Sequence, residues 1–133
     1  MNEERKTSYS DEELKYFRSL ILQKKQEAEK EIDMLQGQVA RDNRDELDND
    51  SGYSFHIADS AAVATGRENV YIMIDRQQKL IGYLDRALDR IENKSYGVCR
   101  VTGEKIPKER LEAIPHTELS IEGKMMEQRG YRK

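Results

Sequence analysis

Apolar residues recur at helical spacing over two long stretches of the chain. Leu14, Ile21, Ala28 and Leu35 fall seven apart, flanked by Phe17, Ile32 and Val39, and only Gly37 interrupts them near the end. A seven-residue repeat returns to one helix face every two turns, so this stretch predicts a helix over about 11–40, about 45 Å long at 1.5 Å per residue. Ser10 followed by Glu13 forms the capping-box pattern at its start. Asp11, Glu12 and Glu13 place negative charge at the positive end of the helix dipole. In the second stretch Val70, Gln77, Leu84 and Ile91 are seven apart, with Ile74, Ile81 and Leu88 between them. That is a coiled-coil seam with a single polar member, Gln77.

The start of the second helix has two readings. Asp59 can cap a helix running through Ala61, Ala62 and Ala64, or Thr65 with Glu68 can form a later capping box. The earlier start is preferred, although Gly66 within a helix costs about 1 kcal/mol relative to alanine. Between the stretches, residues 41–58 keep no period. Asp42, Asp45, Glu46, Asp48 and Asp50 lie close together ahead of Ser51 and Gly52, which predicts an irregular acidic loop. Asn93, Lys94, Ser95 and Gly97 end the second helix.

Two helices with one apolar stripe each either pair within the chain or meet another chain. The loop holds the partner stripe close, so the antiparallel hairpin is favoured by effective concentration. The acidic segment 42–59 then sits at the tip. The expected fold is mainly α, a long antiparallel coiled-coil hairpin plus a small C-terminal module. Residues 1–9 are expected to be a flexible N-terminus, 10–95 the hairpin with a tip loop at about 41–59, and 96–133 the module.

Within that module, residues 96–106 predict a knuckle with short extended pieces. Pro107 opens a short helix through Leu111, and a last helix covers about 119–129. The segment is too small to hold a core alone. Val98, Val101, Ile106, Leu111, Ile114, Leu119 and Ile121 are its candidate core.

Composition sharpens this picture. The 133 residues are 36% hydrophobic and 37% charged. Average domains carry about 45–50% apolar residues, so a layered sandwich, barrel or Rossmann-like core is disfavoured. A net charge of -3 lacks the basic excess of a protein that grips duplex nucleic acid along its length. No apolar run approaches the roughly 20 residues of a membrane span, and no signal-peptide h-region opens the chain, so a cytoplasmic location is expected. His56 and His116 lie in different modules, which leaves no nucleophile–base pair to argue for catalysis. The acidic cluster could hold a magnesium ion only with well-placed carboxylates, and a solvated charge run is the preferred reading.

The string from Tyr96 to Lys124 resembles the C-terminal finger of the DksA/TraR family, bacterial proteins that bind RNA polymerase. Tyr96, Gly97, Cys99, Gly103, Ile106, Arg110, Leu111, Glu112, Ala113, Pro115, Leu119 and Lys124 match the family pattern. Upstream, Ala58, Asp59, Ser60 and Ala61 resemble the family's tip motif, in which an Asp-x-Ala carries activity. The resemblance extends over about residues 10–128. It implies a regulator that enters the polymerase secondary channel and modulates initiation through Asp59 and Ala61, with a place in the stringent response. Asp59 would then act both as a cap and as a polymerase contact. A monomer is expected, and the alternative is a structural coiled-coil protein whose stripes serve self-association.

The sequence departs from the family in three places. The four metal-ligand positions of its finger read Cys99, Thr102, Ser120 and Gly123. Structural zinc takes four thiolate or imidazole ligands, and Cys99 with His116 would supply two at most, so no zinc is expected. Cys99 is then read as a small buried hydrophobe. A second tip aspartate found in many relatives aligns with His56. The resemblance implies contacts to the alarmone ppGpp or to polymerase at Arg110 and Lys124. Two further positions that are basic in relatives read Tyr83 and Ile114. Losing cations where a polyanion binds is costly, so alarmone dependence is not expected.

Overall fold

The computed structural model of the chain describes the backbone of residues 6–48 and 56–130, and side chains at 6–41 and 66–130. Among the described residues four helices follow in order: α1 Asp11–Asp48, α2 His56–Glu92, α3 Lys108–Ala113 and α4 Ile121–Gln128. Among the described residues no β-strand forms, and Val98 with Lys105 makes an isolated antiparallel bridge. The chain divides into two compact units, residues 26–81 and residues 1–25 with 82–133.

The start of α1 is the expected capping box. Glu13 N–H donates to Ser10 Oγ at 3.1 Å, and Ser10 N–H donates to Glu13 Oε1 at 2.9 Å. Backbone donation from Ser10 leads the causes that hold the Glu13 carboxyl below its ordinary value. At the same end of the pair, α2 stops in a Schellman turn. Ser95 N–H reaches the Arg90 carbonyl at 2.8 Å and Lys94 N–H the Ile91 carbonyl at 3.2 Å, with Lys94 at φ 65°. The left-handed position usually goes to glycine. Here Lys94 takes it and donates from Nζ to Asp11.

In the unit of residues 26–81, α1 contributes Ile32, Leu35 and Val39 and α2 contributes Val70 and Ile74 to one aliphatic cluster. These are seam positions. In the other unit, α1 and α2 run antiparallel, since Asp11 pairs with Lys94 while Lys25 Nζ meets Asp85 at 2.8 Å. Leu14, Phe17, Ile21, Leu84, Ala87 and Ile91 are buried there.

Both long helices exceed their expected limits. α1 runs to Asp48 rather than about 40, and α2 starts at His56 rather than Asp59. The acidic segment 42–48 is therefore helical, not loop. Arg41 with Asp45 and Arg44 with Asp48 stand at the i,i+4 spacing that suits a helix, and no glycine or proline occurs between Gly37 and Gly52. Alanines 58, 61, 62 and 64 likewise favour an early start of α2. α3 runs on to Ala113, beyond Leu111, with Pro107 as its N-cap. α4 starts at Ile121 because Ser120 caps it.

Of the N-terminus expected to be flexible, residues 1–5 lie outside the described residues, and residues 7–9 depart from expectation. Thr7 N–H donates to the Lys94 carbonyl at 2.8 Å, and Tyr9 is buried with its hydroxyl donating to the Ile106 carbonyl. Residues 7–9 are thus pinned, because the Tyr9 ring packs edge-on against Phe17 at 5.3 Å. Burial, then Glu13 and Glu109, raise the Tyr9 pKa.

Candidate functional site

The module after α2 is built as a knuckle followed by two short helices. Ile106 N–H donates to the Gly97 carbonyl at 2.7 Å and Cys99 N–H to the Glu104 carbonyl at 2.8 Å, closing residues 97–106 into a narrow loop. Gly97 has φ 83°, and any Cβ there would enter the Tyr9 ring. Glycine is required at this position on both counts. The knuckle is joined to the later segment by Arg100 N–H on the Glu118 carbonyl at 2.9 Å and by Arg100 with Glu127 at 2.6 Å.

Tyr96 is the centre of the module's core. It is fully buried, packs on Phe17 at 5.4 Å and donates its hydroxyl to the Pro115 carbonyl at 2.7 Å. Burial raises its pKa far more than neighbouring Arg90 lowers it. Cys99, Ile106, Leu111 and Pro115 complete the fully buried set. Ile121, expected in this core, is 62% exposed, since the first turn of α4 turns Gly123 inward instead.

The four positions Cys99, Thr102, Ser120 and Gly123 do come together. Thr102 N–H donates to Cys99 Sγ at 3.5 Å and the Ser120 hydroxyl donates to it at 3.4 Å. Ser120 Oγ also accepts from Gly123 N–H at 3.0 Å. Burial acts to raise the Cys99 pKa, but hydrogen bonds from the Ser120 and Thr102 side chains and backbone outweigh it and bring the thiol to about 6. As a donor set for structural zinc the four do not fit. One sulfur, two hydroxyls and a glycine replace four soft ligands. Among the described residues, no group of three or more His, Cys, Asp or Glu could hold a metal ion.

The other candidate residues are dispersed. Arg110 is half-buried and spends its Nε–H on the Leu119 carbonyl at 2.7 Å, bracing the approach to α4. Lys124 is exposed on α4. Tyr83 stacks on His116 at 5.5 Å and lies under the Arg86 guanidinium at 5.0 Å. Asp59 and Ala61 are the fourth and sixth residues of α2, so Asp59 is inside the helix rather than its cap. The side chains of Asp42, Asp45, Glu46, Asp48, His56, Asp59 and Ala61, and all of Asp50, lie outside the described residues.

A family model for the prokaryotic dksA/traR C4-type zinc finger matches residues 94–122. The RNA polymerase-binding transcription factor DksA of Caulobacter vibrioides is 35% identical over 120 residues, covering 90% of this chain and 79% of the relative. The chain belongs to the DksA/TraR family. A solved structure of the transcription factor DksA2 from Pseudomonas aeruginosa superposes with a TM-score of 0.73 at 30% identity, covering 90% of this chain and 86% of that one. The Dks protein of Chlamydia trachomatis shares the fold, with a TM-score of 0.51 at 23% identity over 94% of this chain and 98% of its own. A DksA/TraR protein with a degenerate finger is therefore the frame for the site. The family pattern in the sequence points to the four finger positions. It does not point to Tyr9, whose only signal is an aromatic residue just ahead of the capping box.

Among the described residues, no helix is long and apolar enough to cross a membrane.

Proposed function

We propose that this protein is a cytoplasmic, non-enzymatic regulator that binds RNA polymerase in its secondary channel and modulates transcription initiation. The observation that carries this is the 35% identity to a polymerase-binding transcription factor, which spans 90% of the chain rather than the finger alone. Asp59 and Ala61 at the start of α2 are the polymerase-contacting residues. The Asp59 carboxylate acts by contact, and the acids near it serve as a solvated surface rather than a magnesium site. The protein works as a monomer and without sequence-specific contact to nucleic acid, in keeping with its net charge of -3.

Alarmone dependence is disfavoured by the same chemistry. A polyphosphate needs several convergent cations. Arg110 is engaged with the Leu119 carbonyl, and the neighbouring family positions are Tyr83 and Ile114. Lys124 remains as an exposed polymerase contact.

The test is an Asp59→Asn variant in a binding and transcription assay with purified polymerase. Affinity for core polymerase stays near that of the parent, while the effect on initiation is lost. A variant that regulates normally would overturn the role of Asp59. A second reading, self-association, draws on Tyr71, Ile72 and Met73, which are exposed in succession on α2. Sedimentation giving a concentration-dependent dimer without polymerase affinity would favour it.

A further inference from the structure

The finger of a C4 family needs a metal to tie two chain segments together, and here the same four positions meet around a sulfur atom. Cys99 is 1% exposed. Its Sγ lies within hydrogen-bond reach of the Thr102 amide and the Ser120 hydroxyl, and Ser120 Oγ in turn caps α4 through Gly123 N–H. A Cβ on Gly123 would overlap Cys99 Sγ and stand 3.3 Å from Ser120 Oγ and 3.5 Å from Val101 Cβ. The place where a fourth ligand side chain would begin is filled.

We infer that this finger folds without a metal ion, with the Cys99 sulfur as the hydrogen-bonded centre of the site and Gly123 as the residue that makes room for it. The mechanical task of the metal, joining the knuckle to α4, falls to other links. Ser120 bridges Sγ and the α4 amide, Arg100 binds both the Glu118 carbonyl and Glu127, and Arg110 holds the Leu119 carbonyl. Tyr96 closes the rear through the Pro115 carbonyl. A zinc ion could enter only if Sγ left its partners, since tetrahedral thiolate sites need about 2.3 Å from each sulfur to metal and open space at their centre.

Gly123 supplies a test whose sign separates this arrangement from ordinary helix behaviour. Glycine inside a helix is normally improved by alanine. Among the described residues a methyl group added at Gly66 in α2 would meet nothing within 4 Å, so Gly66→Ala raises the melting temperature. Gly123→Ala lowers it by several degrees, because the methyl group displaces the sulfur. Melting at or above the parent temperature for Gly123→Ala would overturn the sulfur-centred packing. In parallel, the full chain produced with added zinc salt and passed through gel filtration carries substoichiometric zinc by elemental analysis. Its melting curve is unchanged by EDTA. One zinc per chain, or a fall in melting temperature with EDTA, would overturn metal independence. These readouts do not involve polymerase, so they are separate from the functional proposal.

Discussion

The two units are held by different kinds of contact. In residues 26–81 the buried cluster is aliphatic and narrow: Leu35, Val39, Val70 and Ile74, with Ile32 beside them. Large apolar residues on the same helices, Met34, Tyr71, Ile72 and Met73, remain exposed. In the other unit, three rings meet at Tyr9, Phe17 and Tyr96, and two of them also donate hydroxyls to carbonyls far along the chain. A stripe of methyl groups fixes which faces of two helices meet, but each residue adds only its own burial. A ring with a satisfied hydroxyl ties together segments that have no periodic relation, at a gain in specificity that area alone does not supply.

The sharpest way to break this contrast is a pair of truncations. Phe17→Ala removes a fully buried ring that touches both Tyr9 and Tyr96, and should cost about 3–5 kcal/mol in denaturant unfolding. Leu35→Ala removes one member of the aliphatic stripe and should cost about 2–3 kcal/mol, the low end for leucine, because a two-helix seam can close on the gap. Hydrogen exchange should then rise for amides of residues 26–81 in Leu35→Ala and for the knuckle in Phe17→Ala. Equal costs and identical exchange patterns would show that the two units share one kind of core.

Tyr96→Phe sharpens the same point with a smaller change. The ring stays, and only the donor to the Pro115 carbonyl is lost. Leaving that buried carbonyl unpaired should cost about 1–3 kcal/mol. A variant as stable as the parent would mean that the module is held by ring packing alone.

The difference between the units also explains what can be read from the chain. The seams of α1 and α2 are legible because a period of seven repeats the same decision many times, and the Ser10–Glu13 box marks where the pattern starts. Past residue 40 the apolar signal stops while the helix does not, so charge spacing and alanine content carry information that periodicity cannot. In the module nothing repeats. Hydrophobicity alone puts Ile121 inside, yet Ser120 caps α4 and turns that first residue to solvent while glycine faces the core. Resemblance locates the four finger positions but does not reveal their use. Only the fold places a thiol where a side chain at 123 would begin. Lys94 in a left-handed turn is a similar case, since tertiary contacts select it where local preference would choose glycine.

The smallest expected effect concerns His116, and it tests how polar the edge of the aromatic unit is. Its ring is half-buried against Tyr83, and its Nδ1 finds no partner among the described residues. Burial lowers its pKa from the ordinary 6.5, and the charges of Arg90 and Lys24 lower it further. Arg90 also donates to the His116 carbonyl at 3.1 Å, Arg86 sits over Tyr83, and Glu118 faces Arg90 at 3.8 Å, with Asp89 a further acid acting on Arg90. The folded chain therefore prefers neutral imidazole. Above pH 6.5 both states leave the ring uncharged and its contribution is complete. As pH falls below 6.5 the unfolded chain takes up the proton first, so stability declines until the folded-state pKa is passed. The Cys99 thiol, brought from an ordinary 9.0 to about 6, loses its own contribution between those two values. Asp11 and Glu13, with ordinary values of 3.8 and 4.5 lowered in the fold, act only at lower pH. Among the described residues, the interval from about 6 down to about 4.5 is thus where His116 dominates. Urea midpoints measured across it should fall for the parent and stay flatter for His116→Gln. Parallel slopes would show that water reaches the imidazole well enough to cancel the cost of charging it, and that the aromatic core ends before Tyr83.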